Sequence, residues 1–174
     1  MSTVQKINFE PVGDILPLWR RDLPLAVPSL ADPLNAVSLV DGEWVTLDNN
    51  YRLVRAADVT SVGDEATLTS FPVFNERGRA DRMGMAEKKT TIFFRGEYEA
   101  DTRIFDAAAV VTGGAAITAV LQPLMVATIA IAGRNYAGLV GHAGSGSTAP
   151  IVGYVTKLPA NNGGKLRFIS GYRR

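Results

Sequence analysis

The chain holds one histidine, His142, and no cysteine. A Ser-His-Asp triad therefore has a single possible base, and metal clusters needing two histidines or thiolates are ruled out. His142 lies in Gly141-His142-Ala143-Gly144-Ser145-Gly146-Ser147-Thr148. Nucleophilic catalysis needs a base held rigidly. A glycine-rich segment predicts a long mobile loop between two strands, and His142 is read as a loop residue without a chemical role. The same residues imitate a phosphate-binding loop, with Gly141 and Gly146 correctly spaced and Thr148 after them. The lysine that should follow the second glycine is Ser147, so the charge contact to phosphate is missing.

Glu97 and Glu99 are the other arrangement that could do chemistry. Two apart on a strand, they share a face at roughly 7 Å, a spacing that paired carboxylates use in glycoside hydrolysis. Arg95 and Asp101 continue the same row, however. A charged row on a strand is read as a solvated face or one side of a salt-bridged interface. Lys165, Arg167, Phe168, Tyr172, Arg173 and Arg174 loosely fit a nucleic-acid pattern. They are read instead as a final core strand with a basic tail. No catalytic, cofactor-binding or metal residue is assigned, and the chain is not expected to be an enzyme.

The elements that would position these residues are strands. Residues 37–40 are apolar, Asp41-Gly42 is a turn pair, and Trp44, Val45 and Leu47 follow. After Asp48-Asn49-Asn50, Tyr51, Leu53 and Val54 resume, which predicts a meander. Residues 90–105 give the clearest alternation, with Ile92, Phe94, Tyr98 and Ala100 on one face and charged residues on the other. Gly96 suggests a bend there. Residues 151–158 and 165–169 predict two further strands joined through Asn162-Gly163. Helical periodicity is weak, with short helices expected at most near residues 30–35 or 80–86.

Residues 107–133 carry no charge, which raises the question of a membrane span. The stretch is rich in Ala, Thr and Gly and is broken by Gly113-Gly114 and Gln122-Pro123, so β-structure fits better. Strands are expected at 107–112, 115–121 and 124–132.

Five of the nine prolines fall in the first 33 residues, interleaved with Leu16, Leu18, Trp19, Leu23, Leu25 and Val27. Proline cannot donate to a ladder, so residues 1–35 are expected to form an extended apolar arm, ahead of a single β-rich domain at 36–174. Such an arm must lie against its own domain or a neighbouring subunit. Together with Arg77 and Arg79 in the charged loop, and Arg173 and Arg174 at the C-terminus, the arm supplies the candidate interface residues.

The net charge of +1 gives no electrostatic grip on a nucleic acid or a membrane, so neither is an expected partner. It hides an asymmetry. Residues 134–174 hold six basic side chains and no acidic one, leaving the remainder net negative. If folding keeps the two parts separate, acidic and basic sides could complement a partner or another copy. Residues 1–10 contain no apolar run, and no secretory leader is expected.

Three stretches resemble capsid decoration (cement) proteins and related small head proteins of tailed bacteriophages. They are residues 72–81 (PVFNERGRAD), residues 89–102 (KTTIFFRGEYEADT), and Gly153-Tyr154-Val155 followed by Gly164-Lys165-Leu166-Arg167-Phe168-Ile169. The resemblance spans about residues 36 to 170. It implies a mainly β chain, a β-barrel or β-sandwich domain, that binds the outer surface of the major capsid protein shell and stabilises it. It further implies a homo-oligomer, with a homotrimer favoured and a homodimer possible, assembled in the host cytoplasm and carried on the virion exterior. A tail-tube or baseplate subunit, and more distantly a carbohydrate-binding module, are the alternative readings.

Overall fold

The computed structural model describes residues 9–12, 19–24, 42–47, 53–56, 71–72, 89–95, 97–108, 111–161 and 164–170. The protein is mainly β. Its strands are β1 (Phe9–Val12), β2 (Trp19–Pro24), β3 (Trp44–Leu47), β4 (Leu53–Arg55), β5 (Phe71–Pro72) and β6 (Lys89–Arg95). They continue with β7 (Tyr98–Thr102), β8 (Gly114–Ala115), β9 (Pro123–Ile131), β10 (Arg134–His142), β11 (Gly153–Lys157) and β12 (Leu166–Ser170).

Among the described residues these strands form three open sheets. The largest has the order β1-β7-β12-β11-β9-β10-β8, while β2-β6 and β4-β3-β5 form smaller ones. All the ladders are antiparallel. One isolated parallel bridge, Phe105↔Leu139, adds a further link. There the Leu139 N–H donates to the Ile104 carbonyl, and the Asp106 N–H donates to the Leu139 carbonyl, each at 3.0 Å. This ties the chain leaving β7 to β10, four places away in the strand order, so the large sheet must curl towards itself.

The core follows from the alternation. Tyr98, Ala100 and Thr102 on β7 are buried, and so are Leu166 and Phe168 on β12 and Val155 on β11. Trp44 on β3 packs over this face, with Leu124, Ala137 and Leu139 in the same cluster. Trp44 and Tyr98 both contact the Phe168 ring, at centroid distances of 6.2 Å. A second cluster of Ile104, Met125, Ile129 and Val140 is built on β9, β10 and the segment after β7. The β9–β10 hairpin is thus buried from two directions.

A two-residue turn, Ala132-Gly133, closes that hairpin between the paired residues Ile131 and Arg134. Both turn residues have positive φ, 51° and 78°. This is the type I′ pattern, whose twist matches the flanking strands. Asn-Gly is the usual occupant; here alanine holds the first position.

Several expectations are corrected. Residues 90–105 form two strands in different sheets, β6 beside β2 and β7 between β1 and β12. The expected strands at 107–112 and 115–121 reduce to the two-residue β8 and a turn. The unforeseen β10 occupies part of the region read as loop. Two segments of the proline-rich arm are strands of this chain's own sheets: β1 pairs with β7, and β2 with β6. Residues 30–35, 37–40 and 80–86 lie outside the described residues. Among the described residues, no helix is long and apolar enough to cross a membrane.

Candidate functional site

The side chains singled out for chemistry fall in three places. The first is the sheet face turned away from Phe168. The in-register residues Val12, Glu99, Ile169 and Tyr154 run across β1, β7, β12 and β11. All four are half-buried. Glu99 accepts a hydrogen bond from the Thr156 hydroxyl at 2.6 Å. Asp101 takes two from its cross-strand partner Arg167, at 2.8 and 3.1 Å. The hydrogen bond to Asp101 holds the guanidinium above its ordinary range; partial burial opposes this, and the charges of Asp101 and Glu99 reinforce it. Glu97 stays exposed. The carboxylate row therefore cross-links strands. The bonds from Arg167 also show that the basic and acidic parts of the sequence are interleaved here, since β12 lies beside β7.

The second place is His142, and here the loop reading is corrected. Gly141 and His142 end β10, and His142 is only 6% exposed. The Gly144 N–H donates to Nδ1 at 2.9 Å, and Nε2 lies 2.9 Å from the Ala149 carbonyl. With Nδ1 as the acceptor, the proton belongs on Nε2, which donates to Ala149. His142 thus staples the two ends of a segment that includes the 3-10 turn Gly144–Gly146. The ring is rigid because the loop closes on it.

The third place was invisible to motif reading. Between β8 and β9, residues 116–122 form a turn around the Gln122 side chain. Its Oε1 accepts from the Thr118 N–H at 2.8 Å and the Ala119 N–H at 3.3 Å, while Nε2 donates to the Ala116 carbonyl at 2.7 Å. The Leu121 N–H donates to the Val155 carbonyl at 2.7 Å, and the Val155 N–H returns a bond to the Gln122 carbonyl at 3.0 Å. Leu121 has φ 65°, left-handed backbone that costs a leucine about 1–2 kcal/mol. The tip nevertheless exposes Val120 by 52% and Leu121 by 72%. Gly141 lies beneath the turn, where a Cβ would meet the Ala115 carbonyl and Gln122 Nε2, each at 2.5 Å.

No protein family, curated protein or solved structure matches this chain.

Of the candidate interface residues, Trp19 and Leu23 lie on β2, paired with Arg95 and Thr90 of β6. Leu16, Leu18, Leu25, Val27, Arg77, Arg79, Arg173 and Arg174 lie outside the described residues. Sequence reading also missed Glu43. Its side chain is fully buried, ion-paired with Arg55 of β4, and accepts from the Ala137 N–H of β10 at 3.4 Å. It joins the small sheet to the large one. Among the described residues, no group of three or more His, Asp or Glu side chains is placed to hold a metal ion.

Proposed function

We propose that this chain is a structural subunit of a tailed-bacteriophage virion, a decoration protein that binds and stabilises the outer capsid shell. One observation carries the reading. Two stretches that resemble decoration proteins are distant in sequence but adjacent in the sheet. The second contributes β7, the third contributes β11 and β12, and the order β7-β12-β11 makes them one continuous surface. A resemblance scattered along a chain gains weight when its parts build one unit. The chemistry of that unit agrees. Glu99 and Asp101 are engaged with Thr156 and Arg167, so the face is organised for strand cohesion.

The reading includes self-association, a trimer before a dimer, and the major capsid protein as partner. Many weak contacts repeated over a shell would supply avidity. Gold labelling of purified virions with an antibody to this chain tests it. Label distributed over heads is expected. Label confined to tails would transfer the chain to the tail tube or baseplate, and no label on virions would overturn the proposal.

A further inference from the structure

We propose that His142 is an acid-operated latch: the neutral imidazole holds residues 143–149 closed, and a proton taken up at Nδ1 releases the Gly144 end of that segment. The inference stands apart from the decoration reading, because it concerns what this chain does by itself when the pH falls.

The latch follows from which ring atom does what. Nδ1 accepts from the Gly144 N–H at 2.9 Å, and a backbone N–H can only donate. Nε2 lies 2.9 Å from the Ala149 carbonyl, which can only accept. The closed segment therefore fits one form of the ring, neutral with its proton on Nε2. An imidazole takes up a second proton in mildly acid solution, and both nitrogens then donate. The new Nδ1–H faces the Gly144 N–H, donor against donor, while the Nε2–H keeps Ala149. The two ends thus respond differently. Ala149 packs against the cluster of Ile104, Met125, Ile129 and Val140 and stays as the pivot. The Gly144 end has room to move: Ala143 and Gly144 are exposed, and nothing lies within 4 Å of where a Cβ on Gly144 would sit. Its movement uncovers the turn before β8. There the Ala143 N–H donates to the Gly113 carbonyl at 3.0 Å, and a Cβ on Gly113 would meet Ser147 Oγ at 2.5 Å.

The charged groups around the ring do not replace the lost acceptor. Between residues 107 and 156 the sole Asp, Glu, Lys or Arg is Arg134. Arg134 and Tyr136 share β10 with His142 but stand eight and six residues away, roughly 26 and 20 Å along the strand. β8, β9 and residues 143–150 carry no titratable side chain. Tyr154 and Lys157 belong to β11, which β9 separates from β10. On the segment bridged to β10 the charged residues are Arg103 and Asp106. That bridge meets β10 at Leu139, three residues before His142, and the Asp106 carboxylate accepts from the Ala108 N–H at 2.9 Å. A carboxylate nearby would favour the charged ring, yet it would not turn Nδ1 back into an acceptor for Gly144.

NMR on the isotope-labelled full chain tests the latch. Ring nitrogen shifts at about pH 7.5 should show a bare Nδ1 and a protonated Nε2. On lowering the pH to about 4.5 the ring should gain its second proton. In the same step the Gly144 amide should lose about tenfold of its protection from hydrogen exchange, after correction for the pH dependence of exchange itself. The Leu139 amide, bonded to the Ile104 carbonyl, should stay protected. His142→Gln is the control, because its carboxamide offers an acceptor and a donor at every pH; its segment should not open. Gly144 protection that survives protonation of the ring would overturn the latch. So would a ring that stays neutral across the range, or a glutamine variant that opens at the same pH. Protection lost at Leu139 together with Gly144 would mean that the sheet itself unfolds, and would overturn it as well. If the glutamine variant does not fold, the wild-type titration decides alone.

Discussion

Trp44 and Phe168 meet with their ring centroids 6.2 Å apart and their planes inclined at 48°. One comes from the three-stranded sheet and the other from the heart of the seven-stranded sheet, and both are buried. Tilted aromatic pairs at this distance contribute beyond the area they remove from water. Truncating Phe168 also strips Tyr98 of its edge-on neighbour. Phe168→Ala is expected to lower unfolding free energy by about 3–5 kcal/mol. Urea denaturation followed by tryptophan fluorescence measures this, and a loss below about 1 kcal/mol would contradict the packing described.

The ion pair of Glu43 and Arg55 predicts an asymmetry. Arg55→Ala leaves a buried carboxylate without its counter-charge, at a cost of about 3–5 kcal/mol. Replacing both partners together, Glu43→Leu with Arg55→Met, is expected to recover a large part of that loss. A double-mutant cycle in urea reads the coupling. Independent, additive effects would show that the two side chains are not coupled.

Burial pushes the Tyr98 hydroxyl above its ordinary value of 10.0, and the side chain of its cross-strand neighbour Ser170 offsets part of the rise. The folded state therefore keeps its proton when the unfolded chain has released it. The resulting stability is complete below about pH 10 and is lost as pH rises further. Unfolding midpoints measured from pH 8 to 11 should fall more steeply in the wild type than in Tyr98→Phe. Parallel curves would refute the assignment.

The hairpin turn offers a stabilising change. Ala132 has φ 51°, and asparagine tolerates that region better than alanine. Ala132→Asn creates Asn-Gly, the preferred pair for a type I′ turn. A gain of about 0.5–1 kcal/mol is expected from the relieved strain. Thermal unfolding at fixed protein concentration provides the check, and a lower melting temperature would argue against the turn geometry.

The legible parts of the fold were those with one face covered. The β7 segment alternates buried and half-buried residues without a break, and β12 does so over Leu166, Arg167 and Phe168. Their period-2 pattern could be read directly. β10 could not, because residues 137–142 are all buried and strong alternation disappears when both faces are covered. The split of residues 90–105 was hidden because Ile92, Tyr98 and Ala100 keep one parity while the pairing partner changes from β2 to β1 and β12. Partners lie outside any local window. His142 was misread for a related reason: its rigidity comes from Gly144 and Ala149 folding back onto the ring. Glu43 carried no signal in its own neighbourhood, because Arg55 and Ala137, which help make its burial tolerable, are brought to it by the fold. The turn at 116–122 was taken for a strand from its apolar composition, whereas one glutamine side chain replaces the ladder there.

The position of β12 has a consequence for biosynthesis. It is the most C-terminal of the described strands, yet it lies between β7 and β11 in the large sheet. Until the ribosome has delivered it, β7 and β11 each keep an open edge, and the Phe168 ring that joins Trp44 to Tyr98 is missing. The nascent chain must carry those edges unpaired, a state prone to adventitious pairing. β12 is therefore the keystone of the sheet: β7 and β11 become one surface only after it has been synthesised.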